Sequence, residues 1–175
     1  MEIMLDLETM GNGSNSAIIA IGAVAFDING VSSKFYHQVN LQSSIDAGME
    51  MDASTVLWWL KQSELARGAF KDNENALNIA NALIEFSMFC ESVKVCGMWG
   101  NGAAFDNVLL SNAYRKLEMN QPWKFWNDRC YRTVKNIYKD VEFIRSGTHH
   151  NAVDDAESQA LQLIEICKKH NILAI

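Results

Sequence analysis

Residues 17–26 run without one charged or hydrogen-bonding side chain. Ten residues are too few to cross a bilayer as a helix, which takes about 20. A strand wetted on one face would alternate polar and apolar positions. The run therefore predicts a strand covered on both faces, as in a sheet held between helical layers. Turn chemistry brackets it: Gly11-Asn12-Gly13-Ser14-Asn15-Ser16 precedes it and Asp27-Ile28-Asn29-Gly30, suited to a hairpin, follows. Residues 3–7 form a shorter apolar run and residues 34–39 alternate. The chain thus opens with three strands, at least the last two antiparallel.

Helical and extended patterns then alternate. Asp52 is placed to cap a helix through Val56, Leu57, Trp59 and Leu60. Residues 73–91 carry Leu77, Ala80, Leu83, Ile84 and Met88 at helical spacing. A fourth strand is expected at 93–98, a helix at 105–117, a short fifth strand at 123–126, a helix at 130–138 and a final helix at 151–169. This order predicts an α/β fold with a mixed sheet. With 175 residues, 49% of them hydrophobic, and Pro122 as the lone proline, one domain over residues 1–175 is expected.

Cys90, Cys96, Cys130 and Cys167 show no CxxC pairing and read as reduced thiols. No basic, apolar leader opens the chain and no long apolar span follows, so a cytoplasmic protein (host cytoplasm if virus-encoded) without membrane contact is expected. The net charge of −6 argues against a tight, sequence-specific DNA binder. It is compatible with a carboxylate cluster that takes up divalent cations.

Three places carry chemistry. Asp6 and Glu8 are two apart on the first strand and so project from one face. Side by side in a core they need a cation or a proton. Asp106 falls in the first turn of a helix, after Gly100-Asn101-Gly102-Ala103-Ala104-Phe105. His150 and Asp155 meet at the start of the last helix. Asp154 and Asp155 point about 100° apart, so one faces the site and the other should be a surface acid. Each place also has an ordinary reading, as a solvated strand end, dipole compensation or a capped helix start.

In order, Asp6-x-Glu8, Asn101-x-x-x-Phe105-Asp106 and His150-x-Ala152-x-x-Asp155 resemble the three motifs of the DEDDh 3′→5′ exonucleases. The likeness spans the chain, and Trp58-Trp59-Leu60-Lys61-Gln62 resembles the compact phage and bacterial branch, described as exodeoxyribonuclease VIII-like or 3′→5′ exoribonuclease. The resemblance implies a ribonuclease H-like five-stranded mixed sheet flanked by helices, with the second strand antiparallel. It implies two Mg²⁺ or Mn²⁺ ions held by Asp6, Glu8, Asp106 and Asp155, Asp6 bridging both, with His150 as general base. The placement of Ala152 selects His150 over His149. All-oxygen ligation suits such hard ions.

The implied substrate is a single-stranded nucleic acid with a free 3′ end, contacted by Thr9, Met10, Asn101, Phe105 and Arg145. Trp99, Trp123, Phe125 and Trp126 are candidates to stack bases, with Lys124, Arg129, Arg132 and Arg145 toward phosphates. A loose segment at Arg145-Ser146-Gly147-Thr148 is expected to let His150 swing. A homodimer using Trp58, Trp59 and Phe70 is possible by analogy with relatives. Competing readings are an oligoribonuclease-like enzyme on short RNA, a non-catalytic nucleic-acid-binding module on the same fold, and a ribonuclease H-type endonuclease.

Overall fold

The apolar run becomes β2 (Ile18–Asp27), in which every residue but Asp27 is buried. The computed structural model describes residues 1–172. β2 lies between β1 (Glu2–Thr9) and β3 (Gly30–Gln38), antiparallel to both. On its other side β1 pairs in parallel with β4 (Gly97–Gly100), which pairs in parallel with β5 (Asp128–Cys130). The order β3-β2-β1-β4-β5 puts β1 at the centre of the five-stranded sheet. Among the described residues six helices accompany it: α1 (Leu41–Asp46), α2 (Ala53–Trp59), α3 (Ile79–Ser92), α4 (Asp106–Lys116), α5 (Tyr131–Ile137) and α6 (Ala152–His170).

The period of two along β1 divides the core. Ile3, Leu5 and Leu7 face Leu83 and Phe86 of α3 and Leu109 and Leu110 of α4. Met4 turns the other way, with Val24 and Phe26, against Ala156, Ala160 and Leu163 of α6 and Tyr131 of α5. Burying each large aliphatic side chain contributes about 1.5–3 kcal/mol. Asp6 and Glu8 continue the Met4 face, so the same alternation that builds the core aims both carboxylates toward α6.

Several element boundaries differ from the sequence expectation, for local polar reasons. The helix expected from 73 begins at Ile79, where Asn78 caps it by accepting the Asn81 N–H at 2.9 Å. Asn73 lies instead in a 3₁₀ turn, donating to Val39 O at 2.8 Å and accepting the Leu41 N–H at 2.8 Å. α1 was not expected; Asn40 caps it. β4 starts at Gly97 because α3 runs through residue 92 and Lys94 turns left-handed at φ 52°. The fifth strand is at 128–130, not 123–126. Trp123 is buried and its indole N–H donates to Asp128 Oδ1 at 2.8 Å, while 125–127 form a 3₁₀ turn. Asp52 holds the cap position of α2, but its carboxylate accepts the Asn12 N–H at 2.9 Å instead. Among the described residues no helix is long and apolar enough to cross a membrane.

Candidate active site

α6 reaches the acids of β1 because of one glycine. Gly22 pairs with Asp6 across the β1–β2 ladder. A Cβ on Gly22 would lie 2.2 Å from the carbonyl carbon of Ala152, so the first turn of α6 rests on bare backbone there. Ala152 is fully buried, and the helix face that continues from it presents Asp155, Ala156, Gln159, Ala160 and Leu163 to the sheet. Asn151 caps this turn by accepting the Asp154 N–H at 3.3 Å. Asp155 therefore stands over β1 rather than in solvent.

The third element is α4. Gly100 ends β4 without a side chain, and a Cβ there would sit 2.3 Å from Asn107 Oδ1 and 3.1 Å from Asp106 Cβ. Asp106 can thus approach β1, where its Oδ1 accepts the N–H of Leu7 at 3.3 Å. It binds the backbone between the two β1 acids.

Asp6, Glu8 and Asp155 each offer an oxygen, and these oxygens lie within 4.8 Å of one another. Asp106 lines the same cleft, outside that tight group. The electrostatic consequence is large. Burial, then the charges of Asp106 and Asp155, hold Asp6 well above the carboxylate range, and a hydrogen bond from Gln159 Nε2 at 2.9 Å opposes them. Glu8 is pushed up to about 10 by burial and by Asp6, Asp155 and Asp106. Burial raises Asp106 to about 7 against the opposing Leu7 N–H. Acids placed this way hold protons in the absence of a cation and become carboxylates when one arrives. An all-oxygen set of this kind fits hard divalent cations such as Mg²⁺ or Mn²⁺.

Asp155 is already engaged. Its Oδ1 pairs with the Arg145 guanidinium, and its Oδ2 accepts the His150 N–H at 3.0 Å. His150 has φ 63°, a left-handed conformation unusual for a side-chain-bearing residue. Its ring stacks on His149 with centroids 3.7 Å apart and meets Trp58 edge-on at 4.9 Å. Burial and the neighbouring His149 lower its pKa, which leaves the ring neutral at pH 7.

The segment expected to be loose is tied to α6 at three points. Ser146 N–H donates to Ser158 Oγ at 3.0 Å and Thr148 N–H to Asp154 Oδ2 at 2.7 Å, and His150 N–H completes the set. Asp154 is accordingly not the surface acid expected from its position. Its carboxyl packs against Gly147, whose φ of 69° and lack of a side chain allow the contact.

Over residues 1–167 the chain matches the profile of the 3′-5′ exoribonuclease Rv2179c-like domain. It belongs to that family. It is 26% identical over 157 residues to the exodeoxyribonuclease of Enterobacteria phage T4, covering 75% of this chain and 69% of that protein. In fold it is similar to the nuclease domain of 3′hExo, a DEDDh family member solved bound to rAMP, with a TM-score of 0.66 at 12% identity over 95% of this chain and 91% of that one. A full-length 3′-exonuclease matches with a TM-score of 0.64 at 12% identity, over 96% and 81%. The protein is thus a 3′-5′ exonuclease, a hydrolase acting on nucleic acid, with a fold like that of a DEDDh nuclease.

Two clefts of this exonuclease join at Leu7, Glu8 and Phe105. The larger, about 680 Å³, holds the acids, both histidines, Asn101 and Arg145. The smaller, about 510 Å³, is lined by Thr9, Thr55, Trp58 and Trp59. Met10, expected at the terminal nucleotide, is 5% exposed, packs into the core and lines neither cleft. Trp59 is buried, its indole donating to Thr9 O at 2.9 Å and its ring against Phe70, so it is not free for a subunit interface. Trp99 and Trp123 are also buried, tied to Glu2 and Asp128, and do not stack bases. Phe125 and Trp126 are exposed but precede β5, at the opposite end of the parallel strands from the acids.

Sequence reasoning missed Gln159. It follows Asp155 by one turn on the same helix face, which is the signal that could have found it. Its Nε2 holds Asp6, while its Oε1 is buried without a partner among the described residues.

Proposed function

We propose that this exonuclease removes nucleoside 5′-monophosphates one at a time from the free 3′ end of single-stranded nucleic acid, using two Mg²⁺ or Mn²⁺ ions. The observation that carries the reading is the convergence of Asp6, Glu8 and Asp155 within 4.8 Å, with Asp106 alongside. Asp6, Glu8 and Asp155 would hold one cation, and Asp6 with Asp106 the other. Such ions supply positive charge against the charge that grows on the phosphate and on the departing 3′-oxygen.

The protein's own groups do the rest. His150, neutral at pH 7 and at the mouth of the cleft, accepts the proton of the attacking water. Thr9 and Phe105 border the smaller cleft and contact the terminal nucleotide there. Asn101, whose Oδ1 is buried without a partner among the described residues, and Arg145 lie on the phosphate side. Gln159 orients Asp6, so that its other oxygen remains free for a cation.

Digestion of matched, uniformly labelled single-stranded DNA and RNA, linear and circular, tests the reading, with 5′-labelled linear strands reporting direction. Mononucleotides should appear from linear strands with Mg²⁺ or Mn²⁺, not with EDTA, and circles should survive. Absence of metal-dependent mononucleotide release, or cutting of circles, would overturn it.

A further inference from the structure

The two clefts differ in charge. Glu8 is the one ionisable residue lining the smaller cleft. The larger has a wall made by α5 and the residues after it, carrying Arg132, Lys135 and Lys139. Arg132 and Lys135 lie one turn apart on α5, and Lys139 follows just beyond its end. None of the three pairs with a carboxylate among the described residues. Arg132 donates to the Asn101 carbonyl, and the Lys135 ammonium lies 5.0 Å from the Tyr131 ring centroid. In a chain of net charge −6, three unpaired cations along one wall of the acidic cleft call for a polyanion.

We infer that this wall is the track for the polynucleotide on the 5′ side of the bond being cut, with Arg132, Lys135 and Lys139 meeting successive phosphates. The inference rests on the exonuclease reading above and adds the path of the strand. Removal of a single 3′ nucleotide leaves one nucleoside on one side of the scissile phosphate and the whole polymer on the other. The smaller cleft, without cations, suits the single nucleoside. The polymer then takes the cationic wall, where Arg132 and Lys135 stand about one helical turn, ~5 Å, apart on α5, comparable with neighbouring phosphates of an extended strand. Strand direction is thereby set by charge. The track also makes strands of several nucleotides better substrates than dinucleotides, against a restriction to very short RNA.

The test compares kcat/KM for a twelve-nucleotide strand and a dinucleotide, with Mn²⁺, in the wild type, in K135E/K139E and in the neutral K135Q/K139Q. The preference for the longer strand should fall roughly tenfold in the charge-reversed protein and less in the neutral one. A control, K71E/K94E, reverses two exposed lysines outside both clefts and should keep the wild-type ratio. Fluorescence anisotropy of the longer strand, with Ca²⁺ in place of Mn²⁺, should show the salt dependence of binding flattened by about 1.4 log units per log unit of salt, since each single-strand phosphate contact contributes about 0.7. An unchanged ratio and slope in folded K135E/K139E would overturn the track. No mononucleotide release by wild type from either strand would instead defeat the exonuclease reading, and the salt slope would still decide the track.

Discussion

The backbone of Ala152 occupies the space where a side chain on Gly22 would be, and Gly22 is the ladder partner of Asp6. This contact fixes how far α6 stands from β1, and hence whether Asp155 reaches Asp6. Replacing Gly22 with alanine inserts a methyl group into backbone, which overpacks the interface at a cost of typically 1–3 kcal/mol. We expect the folded protein to lose Mn²⁺ affinity in calorimetry by at least tenfold, with circular dichroism unchanged. Retained affinity would show that helix position does not govern the site.

Glu8→Gln should stabilise the metal-free protein. The folded pKa of about 10 exceeds the ordinary value of 4.5, so the protonated group supports the fold below pH 4.5 and that support is lost as the pH rises toward 10. The loss is about 1.4 kcal/mol per pH unit, or roughly 3 kcal/mol by pH 7. Glutamine removes it, and each kcal/mol is worth about 2–4 °C in melting temperature for a domain of this size. Thermal melts in EDTA should show the gain at pH 7 and none at pH 4. Equal melting temperatures at both pH values would refute the account.

The element types were legible because they rest on local rules, and the three motif positions because their order and element types resemble those of a known family. The period of two put Asp6 and Glu8 on one face, while the resemblance, not helix geometry, chose Asp155 over Asp154. What escaped was set by polar contacts between distant residues. Gln159 donates to Asp6 across 153 positions. The move of β5 to 128–130 follows from Trp123 bonding Asp128, which no propensity encodes. Neighbours of one type also separate: Trp59 is 4% exposed and Trp58 41%, because one indole found the carbonyl of Thr9.

His150→Ala should lower kcat by about 10²–10⁴-fold, the usual reach of a general base. Mn²⁺ affinity should stay within a few-fold, since the His150 backbone N–H that contacts Asp155 remains. With the His150 pKa below 6.5, the acid limb of the wild-type rate profile should lie below that pH and vanish in the variant. A variant with weakened Mn²⁺ binding that turns over at the wild-type rate once saturated with Mn²⁺ would contradict this role.

Arg145→Gln should tighten Mn²⁺ binding. The guanidinium pairs with Asp155 in the metal-free protein and must yield that oxygen when a cation takes it. The pair is partly exposed, so its strength is about 0.2–1 kcal/mol and the gain in affinity about 1.4- to fivefold. Calorimetry with the unloaded protein reads this directly. Weaker binding in the variant would mean that Arg145 assists the loaded site instead.

The site draws its acids from both extremes of the described fold, β1 and α6. A ribosome-bound chain halted before α6 carries the β1 pair with nothing to close over it. Such a fragment has no means to attack the messenger that encodes it. Destructive activity waits until α6 has been made and has docked on β1, so the order of the elements along the chain is its own safeguard.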